Sequence, residues 1–142
     1  MNNNAIPPCF YRLSVKALIL DETRTKFLVV QEQNGEWELP GGGLDWDAVP
    51  QDDLRREIEE EMKLVVTSVA KYPCYFFTFQ NHKSDWVANV FYEVGVQDLT
   101  FTPSDECVAI RFVTPEEART LPARFGNIAK LADLFDPAQH TQ

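Results

Sequence analysis

Histidine is nearly missing from this chain: His82 and His140 are the only two among 142 residues, and His140 falls in a polar C-terminal stretch. That scarcity leaves little material for a histidine-based zinc centre or a Ser/His/Asp triad. Cysteine is scarce too. Cys9, Cys74 and Cys107 are odd in number and none forms a Cys-x-x-Cys pair. The thiols are therefore expected to pack as small hydrophobes in a reduced, cytoplasmic setting. No apolar run approaches the roughly 20 residues needed to cross a bilayer. The opening residues, Met1 to Pro8, lack the basic-then-apolar order of a secretory leader. Basic residues are outnumbered, 13 against 22 acidic ones, for a net charge of −9. A surface of that sign argues against sequence-independent nucleic-acid binding, which draws its affinity from Lys/Arg–phosphate contacts. A small phosphorylated ligand stays compatible, provided a cation lies between protein and phosphate.

What is present reads as one folded unit. The composition, 44% apolar and 25% charged, is that of a globular protein. A single domain over residues 1–142 is expected, with 1–9 and 137–142 as loose ends. Tyr11 to Leu20 and Phe27 to Gln31 read as two strands, and the polar turn between them suggests a hairpin. Asn34-Gly35 is a turn signal that leads into Trp37-Glu38-Leu39-Pro40 and a triple glycine, Gly41 to Gly43. From Asp52 to Leu64 the period changes: Leu54, Ile58 and Met62 recur every four residues, as on one face of a helix. Pro50 suits a helix start, and Asp52 and Asp53 suit the positive end of its dipole. Val65 to Phe79 and Trp86 to Val96 read as two longer strands around a polar loop, and Val108 to Val113 as another. Thr114-Pro115-Glu116-Glu117 has the form of a capping box, and Ile128 to Phe135 reads as a last helix. The fold class expected is mixed α/β.

Chemistry concentrates in one segment. Eight of the seventeen residues from Asp45 to Glu61 are acidic. Residues i, i+3 and i+4 share a helical face, so Glu57, Glu60 and Glu61 are expected on one side and Glu59 on another. Like charges at that spacing repel, and a hard divalent cation among them reverses the sign of the interaction. A merely solvated acidic face would look the same in isolation. Fifteen residues before Glu57, however, stands the glycine turn, whose backbone can approach a ligand closely. An EF-hand reading of Asp45-x-Asp47 fails, because Pro50 stands where glycine is required and Arg56 where the last glutamate belongs.

The stretch Trp37 to Leu64, WELPGGGLDWDAVPQDDLRREIEEEMKL, resembles the signature of the Nudix hydrolases. Gly42 falls on its first glycine, Arg56-Glu57-Ile58-Glu59-Glu60-Glu61 on its arginine–glutamate core and Leu64 on its final aliphatic position, without an insertion. Two positions depart. Ala48 stands where the pattern has its first glutamate, and Lys63 where it has a late glycine. The missing glutamate implies either a weaker hold on Arg56 or its replacement by Asp47 or Asp45. Lys63 would be strained in a left-handed conformation, so a different helix end is expected there.

The resemblance implies a Nudix-type α/β/α sandwich with a mixed sheet and a loop-helix-loop motif. It implies metal-dependent hydrolysis of the diphosphate linkage in a nucleoside diphosphate joined to another group. Mg²⁺ is the implied ion and Mn²⁺ its alternative, held by Glu57, Glu60, Glu61 and the backbone carbonyl of Gly41, with Arg56 orienting Glu57. The water-activating base varies in the family, and Glu60, Asp105 and Glu106 are the candidates. The implied partner is a small phosphorylated nucleotide, and homodimers are frequent among relatives. The first strand begins by about Tyr11, which favours nucleoside triphosphates, dinucleoside polyphosphates or nucleotide sugars over ADP-ribose. Ala48 and Lys63 keep open a Nudix-fold module that binds a nucleotide without cutting it. Tyr11, Phe77, Phe79, Trp86, Tyr92 and Trp46 are candidate stacking residues. Arg12 and Lys16 are candidate phosphate contacts, otherwise read as solvated charges on the strand face.

Overall fold

In the computed structural model, which describes residues 5–141, eight strands and three helices follow the apolar patterning closely. They are β1 (Arg12–Leu18), β2 (Phe27–Gln31), β3 (Trp37–Glu38), β4 (Gly41–Gly43), α1 (Pro50–Met62), β5 (Val66–Val69), β6 (Tyr75–Gln80), β7 (Trp86–Val96), β8 (Ala109–Val113), α2 (Pro115–Ala118) and α3 (Asn127–Leu134). A 3₁₀ turn at Pro137–His140 closes the described chain. Strand β7 is the spine. It pairs in parallel with β1 along one edge, and antiparallel with β6 and β5 along the other. Beyond β1, β4 adds antiparallel, so this sheet is mixed. A second, antiparallel sheet has the order β3-β2-β8.

Two apolar clusters follow from this stacking. One lies between the sheets and α3, around Phe27, Phe77, Phe91 and Leu131. The other lies under α1, where Leu54, Ile58 and Met62 meet Val15, Ala17, Leu28 and Tyr92. Burying each of those three helix side chains contributes about 1.5–3 kcal/mol, which fixes the rotation of α1 about its axis.

Several expectations need correction. The first two strands do not stay a hairpin. They touch through a bridge at Leu20 and Phe27, then diverge into different sheets. The run Val65 to Phe79 is broken between Val69 and Tyr75, because β5 and β6 take successive stretches of the same edge of β7. Of the stretch expected to be loose, residue 142 lies outside the described ones, and Pro137–His140 is anchored by its last residue. His140 is buried, with its ring 2.8 Å from the Tyr75 hydroxyl and 3.0 Å from Glu93, and Arg24 donates to its carbonyl. The expectation of a loose N-terminus falls partly on residues 1–4, outside the described ones; Ala5 to Cys9 are exposed. Cys9 is exposed rather than packed, and all three thiols are free.

The end of α1 is the most informative correction. Lys63 does adopt the left-handed conformation, φ 56° and ψ 25°, with its N–H donating to the Glu59 carbonyl. The chain must reverse there because Met62 and Leu64, on either side, are both buried. A side chain carrying Cβ therefore occupies a position at which glycine is unstrained. Lys63→Gly is expected to stabilise the fold by about 1 kcal/mol, read as a raised midpoint in urea at unchanged slope.

Candidate active site

With Leu54, Ile58 and Met62 turned inward, each residue just before a core position stands at the border of the buried face, about 100° round the helix. Asp53, Glu57 and Glu61 are those residues, and Asp53 is taken by Arg56. The Glu57 carboxyl stands beside the glycine strand, and its charge acts on the Glu61 carboxyl. Gly41 takes φ 130°, and a Cβ there would collide with the Val15 carbonyl oxygen. At Gly42 a Cβ would stand 3.1 Å from the Glu57 carboxyl carbon. The glycines thus let the backbone pass against β1 and leave the two carboxylates room.

Burial is the largest cause that pushes the Glu61 carboxyl up to about 9. The charges of Glu57 and Glu106 act in the same direction. In the metal-free protein these causes favour the protonated form of Glu61. Glu106 reaches this site from the loop before β8. The Ser104 hydroxyl donates to the Glu61 carbonyl at 3.0 Å and accepts from the Glu106 N–H at 3.3 Å, which ties that loop to the end of α1. A cleft of about 490 Å³ opens here, lined by Gly41, Glu61, Asp105, Glu106, Glu38 and Arg124 among others.

Arg56 and Glu60 stand two residues before core positions and so face outward. Arg56 donates to Asp53 at 2.6 Å, to Glu60 at 2.9 Å and to Glu57 at 3.1 Å. Asp53, rather than Asp45 or Asp47, supports the arginine in place of the residue missing at Ala48. The Glu60 side chain is 62% exposed, so the helix face expected to carry three carboxylates divides: Glu57 and Glu61 toward the glycine turn, Glu60 toward Arg56 and solvent. Asp105 accepts from the Gln33 amide at 3.3 Å.

Among the described residues, no three His, Cys, Asp or Glu side chains are gathered closely enough to hold an ion alone. The donors that converge are hard oxygens, and a cation beside Glu57 and Glu61 would relieve the repulsion that raises Glu61. Such a set suits Mg²⁺, which takes one or two carboxylates and completes its shell from substrate oxygens and water. Lys16 corrects an expectation: it is buried, donating to the Leu39 carbonyl at 3.3 Å with Glu38 at 3.9 Å. Arg12 donates to the Leu44 carbonyl. Phe77, Phe79 and Tyr92 belong to the core, Tyr11 and Trp86 meet edge to face at the surface, and Trp46 is fully exposed. Reading the sequence missed Glu38, Asn89 and Asn127, which lie buried between the sheets. The available signal was polar side chains inside apolar runs, as in Val87-Ala88-Asn89-Val90-Phe91.

The NUDIX domain family model matches residues 10–134. The chain is 30% identical over 134 residues to a MutT-like protein of Streptomyces ambofaciens, spanning 94% of this chain and 83% of that one. Its fold is similar to that of an ADP-ribose pyrophosphatase from Streptococcus suis, at 26% identity and a TM-score of 0.65 over 94% of this chain and 95% of that one. It is also similar to a MutT protein from Methanosarcina mazei, at 24% identity and a TM-score of 0.66 over 96% and 100%. No helix among the described residues is long and apolar enough to cross a membrane.

The carboxylate pair makes stability depend on pH. Glu61 binds its proton up to about 9 when folded, against an ordinary value of 4.5. Between those values the folded state holds more protons than the unfolded one. The stabilisation is complete below the lower value and is lost as pH rises through the window. In EDTA, the melting temperature is expected to fall from about pH 5 to about pH 9, and Glu61→Gln is expected to flatten that slope. Equal slopes in the two proteins would remove the pair from the account.

Proposed function

Because this chain is a member of the Nudix hydrolase family, we propose that it hydrolyses the diphosphate linkage of a nucleotide derivative with the help of a divalent cation. The observation that carries this reading is the half-buried Glu57–Glu61 pair beside the Gly41–Gly43 strand, with Glu106 alongside Glu61 in one open cleft. Glu57, Glu61 and the Gly41 carbonyl would hold Mg²⁺ or Mn²⁺, and Glu60 would join them only by turning from Arg56. When bound there, the ion supplies charge neutralisation, polarisation of phosphorus and a lowered pKa for the attacking water.

The chain's own residues do the rest. Arg56 fixes Glu57 and ties it to Glu60, so that neither carboxylate rotates away. Glu106 is the base that takes the proton of the attacking water. Asp105 and Glu60 are less suited to that role, since the first is engaged by Gln33 and the second by Arg56. Little covalent chemistry remains for the protein beyond positioning and electrostatics. The substrate is a small phosphorylated nucleotide. The relatives' names, MutT-like and ADP-ribose pyrophosphatase, support that class and leave its members to be ranked by assay.

Hydrolysis is tested across nucleoside triphosphates, deoxynucleoside triphosphates, ADP-ribose, dinucleoside polyphosphates and nucleotide sugars, with Mg²⁺, with Mn²⁺ and with EDTA. Turnover of at least one class, abolished by EDTA, is the expected result. Glu57→Gln and Glu61→Gln should each lose at least about 10²-fold in kcat with the fold intact by circular dichroism. Glu106→Gln should lose about 10²–10⁴-fold, and Glu59→Gln should stay near wild type. Ligand-induced stabilisation without any turnover would instead identify a nucleotide-binding module.

A further inference from the structure

Four polar side chains run through the interior between the two sheets. Lys16 stands 3.9 Å from Glu38. The Glu38 Oε1 accepts from the Leu39 N–H at 2.8 Å and from the Asn127 Nδ2 at 3.1 Å. The same Asn127 nitrogen donates to the Asn89 Oδ1 at 3.1 Å. Two atoms are left over: Asn127 Oδ1 and Asn89 Nδ2 have no partner in the protein. Both residues are sealed from solvent, at 1% and 0% exposure. Buried amide atoms are seldom left unpaired, so a pair of them is a reason to look for what they bind.

Their identities are not arbitrary. An ionised carboxylate only accepts, so Glu38 admits the nitrogen end of the Asn127 amide and turns its oxygen away. The second Asn127 hydrogen then takes the oxygen of Asn89 and leaves that amide's nitrogen free. One acceptor and one donor are therefore presented, in an order set by Glu38. Asn89 and Asn127 line a cavity of about 150 Å³ together with Phe79, Phe125, Val87 and Arg12. Glu38 lines this cavity and also the cleft that contains Gly41 and Glu61. One ligand could thus place its phosphates by the carboxylates and a flat ring between the sheets.

We propose that Asn89 and Asn127 read the polar edge of the substrate's nucleobase, and that Glu38 is the positioning residue that fixes which atoms they present. This rests on the reading that the cleft takes a nucleotide. Neutral amides beside aromatic walls suit an uncharged heterocycle carrying a donor next to an acceptor. Arg12 and Lys16 also line the cavity but are turned to the Leu44 and Leu39 carbonyls, so a phosphate would meet the Glu38 carboxylate, and a purely apolar group would leave both amide atoms unpaired.

The test uses ¹⁵N-labelled protein with Mg²⁺, titrated with GMP, AMP, purine riboside 5′-monophosphate and ribose 5-phosphate, none of which has a diphosphate bond to be cut. The side-chain amide resonances of Asn89 and Asn127 should shift with GMP or AMP. Purine riboside monophosphate, which offers an acceptor but no donor, and ribose 5-phosphate, which has no base, should bind about tenfold more weakly or worse. Ribose 5-phosphate binding as well as GMP, or unmoved amide signals at saturation, would overturn the proposal. Glu38→Gln, whose amide can present either end, should raise KM more than it lowers kcat. It should also narrow the gap between GMP and purine riboside monophosphate, and an unchanged gap removes Glu38 from the role. Should that variant fail to fold, Asn89→Ala must by itself weaken GMP about tenfold. Hydrolysis with unmoved amides would sink this proposal alone, whereas shifted amides without hydrolysis would sink only the catalytic reading.

Discussion

Two carboxylates pressed together at the border of a buried face set the terms for the rest of this molecule. The stripe Leu54, Ile58, Met62 locks α1 onto the sheet, and its phase decides what every other helix residue can do. Glu57 and Glu61 each precede a core residue and so are carried half under the surface. Arg56 and Glu60 precede by two and are carried out to solvent. Repulsion between the inner pair is then unavoidable, and the structure answers it in stages. A proton on Glu61 relieves part of it, and Arg56, itself held by Asp53, neutralises part of what remains. A divalent cation would replace the proton and, unlike it, would bind substrate oxygens as well. The glycine strand fits the same scheme. It is bare because a side chain at Gly42 would crowd the carboxyl group that the site depends on.

What could be read from the chain follows the range of the interactions concerned. The helix stripe, the Thr114 capping box and the β7 boundaries are local patterns, and the structure has them. Strand partners are not local. Nothing within Tyr11 to Gln31 says that β1 and β2 enter different sheets after Leu20 and Phe27, since that choice belongs to β7, β4 and β8, far along the chain. Lys63 is a different case: its left-handed strain is local, but the compensating burial of Met62 and Leu64 is a tertiary effect that outweighs it. His140 likewise looked like a polar tail until Tyr75, Glu93 and Phe135 supplied its surroundings. In the candidate site, spacing identified the segment, whereas the division of its glutamates needed the phase of the helix.

The buried polar chain from Lys16 to Asn89 is the counterpart of the carboxylate pair. Both place groups in the interior that the protein alone does not fully satisfy. An unpaired buried amide atom costs about 1–3 kcal/mol, so two of them are a sizeable fraction of a domain's stability. Selection for stability alone would favour apolar side chains of similar size at Asn89 and Asn127, as at the neighbouring Val87 and Phe91. Their presence among such neighbours fits a site whose remaining partners arrive with a ligand.

Charge adds a last constraint. A protein of net charge −9 must admit a ligand that is itself an anion. At physiological ionic strength the screening length is about 8 Å, so surface carboxylates far from the cleft repel an approaching phosphate only weakly. The decisive charges are those inside: Glu38, Glu61, Asp105 and Glu106 line the cleft, and Arg124 is the cation lining it, already engaged by both oxygens of Glu32. A phosphate ligand cannot be drawn in by that set unaided. The cation that relieves the Glu57–Glu61 repulsion also makes the cleft acceptable to a phosphate. A heterocycle reaching the amides, by contrast, needs no charge at all. The two ends of the proposed ligand would thus be recognised by different physics, and salt should weaken the phosphate end far more than the base end.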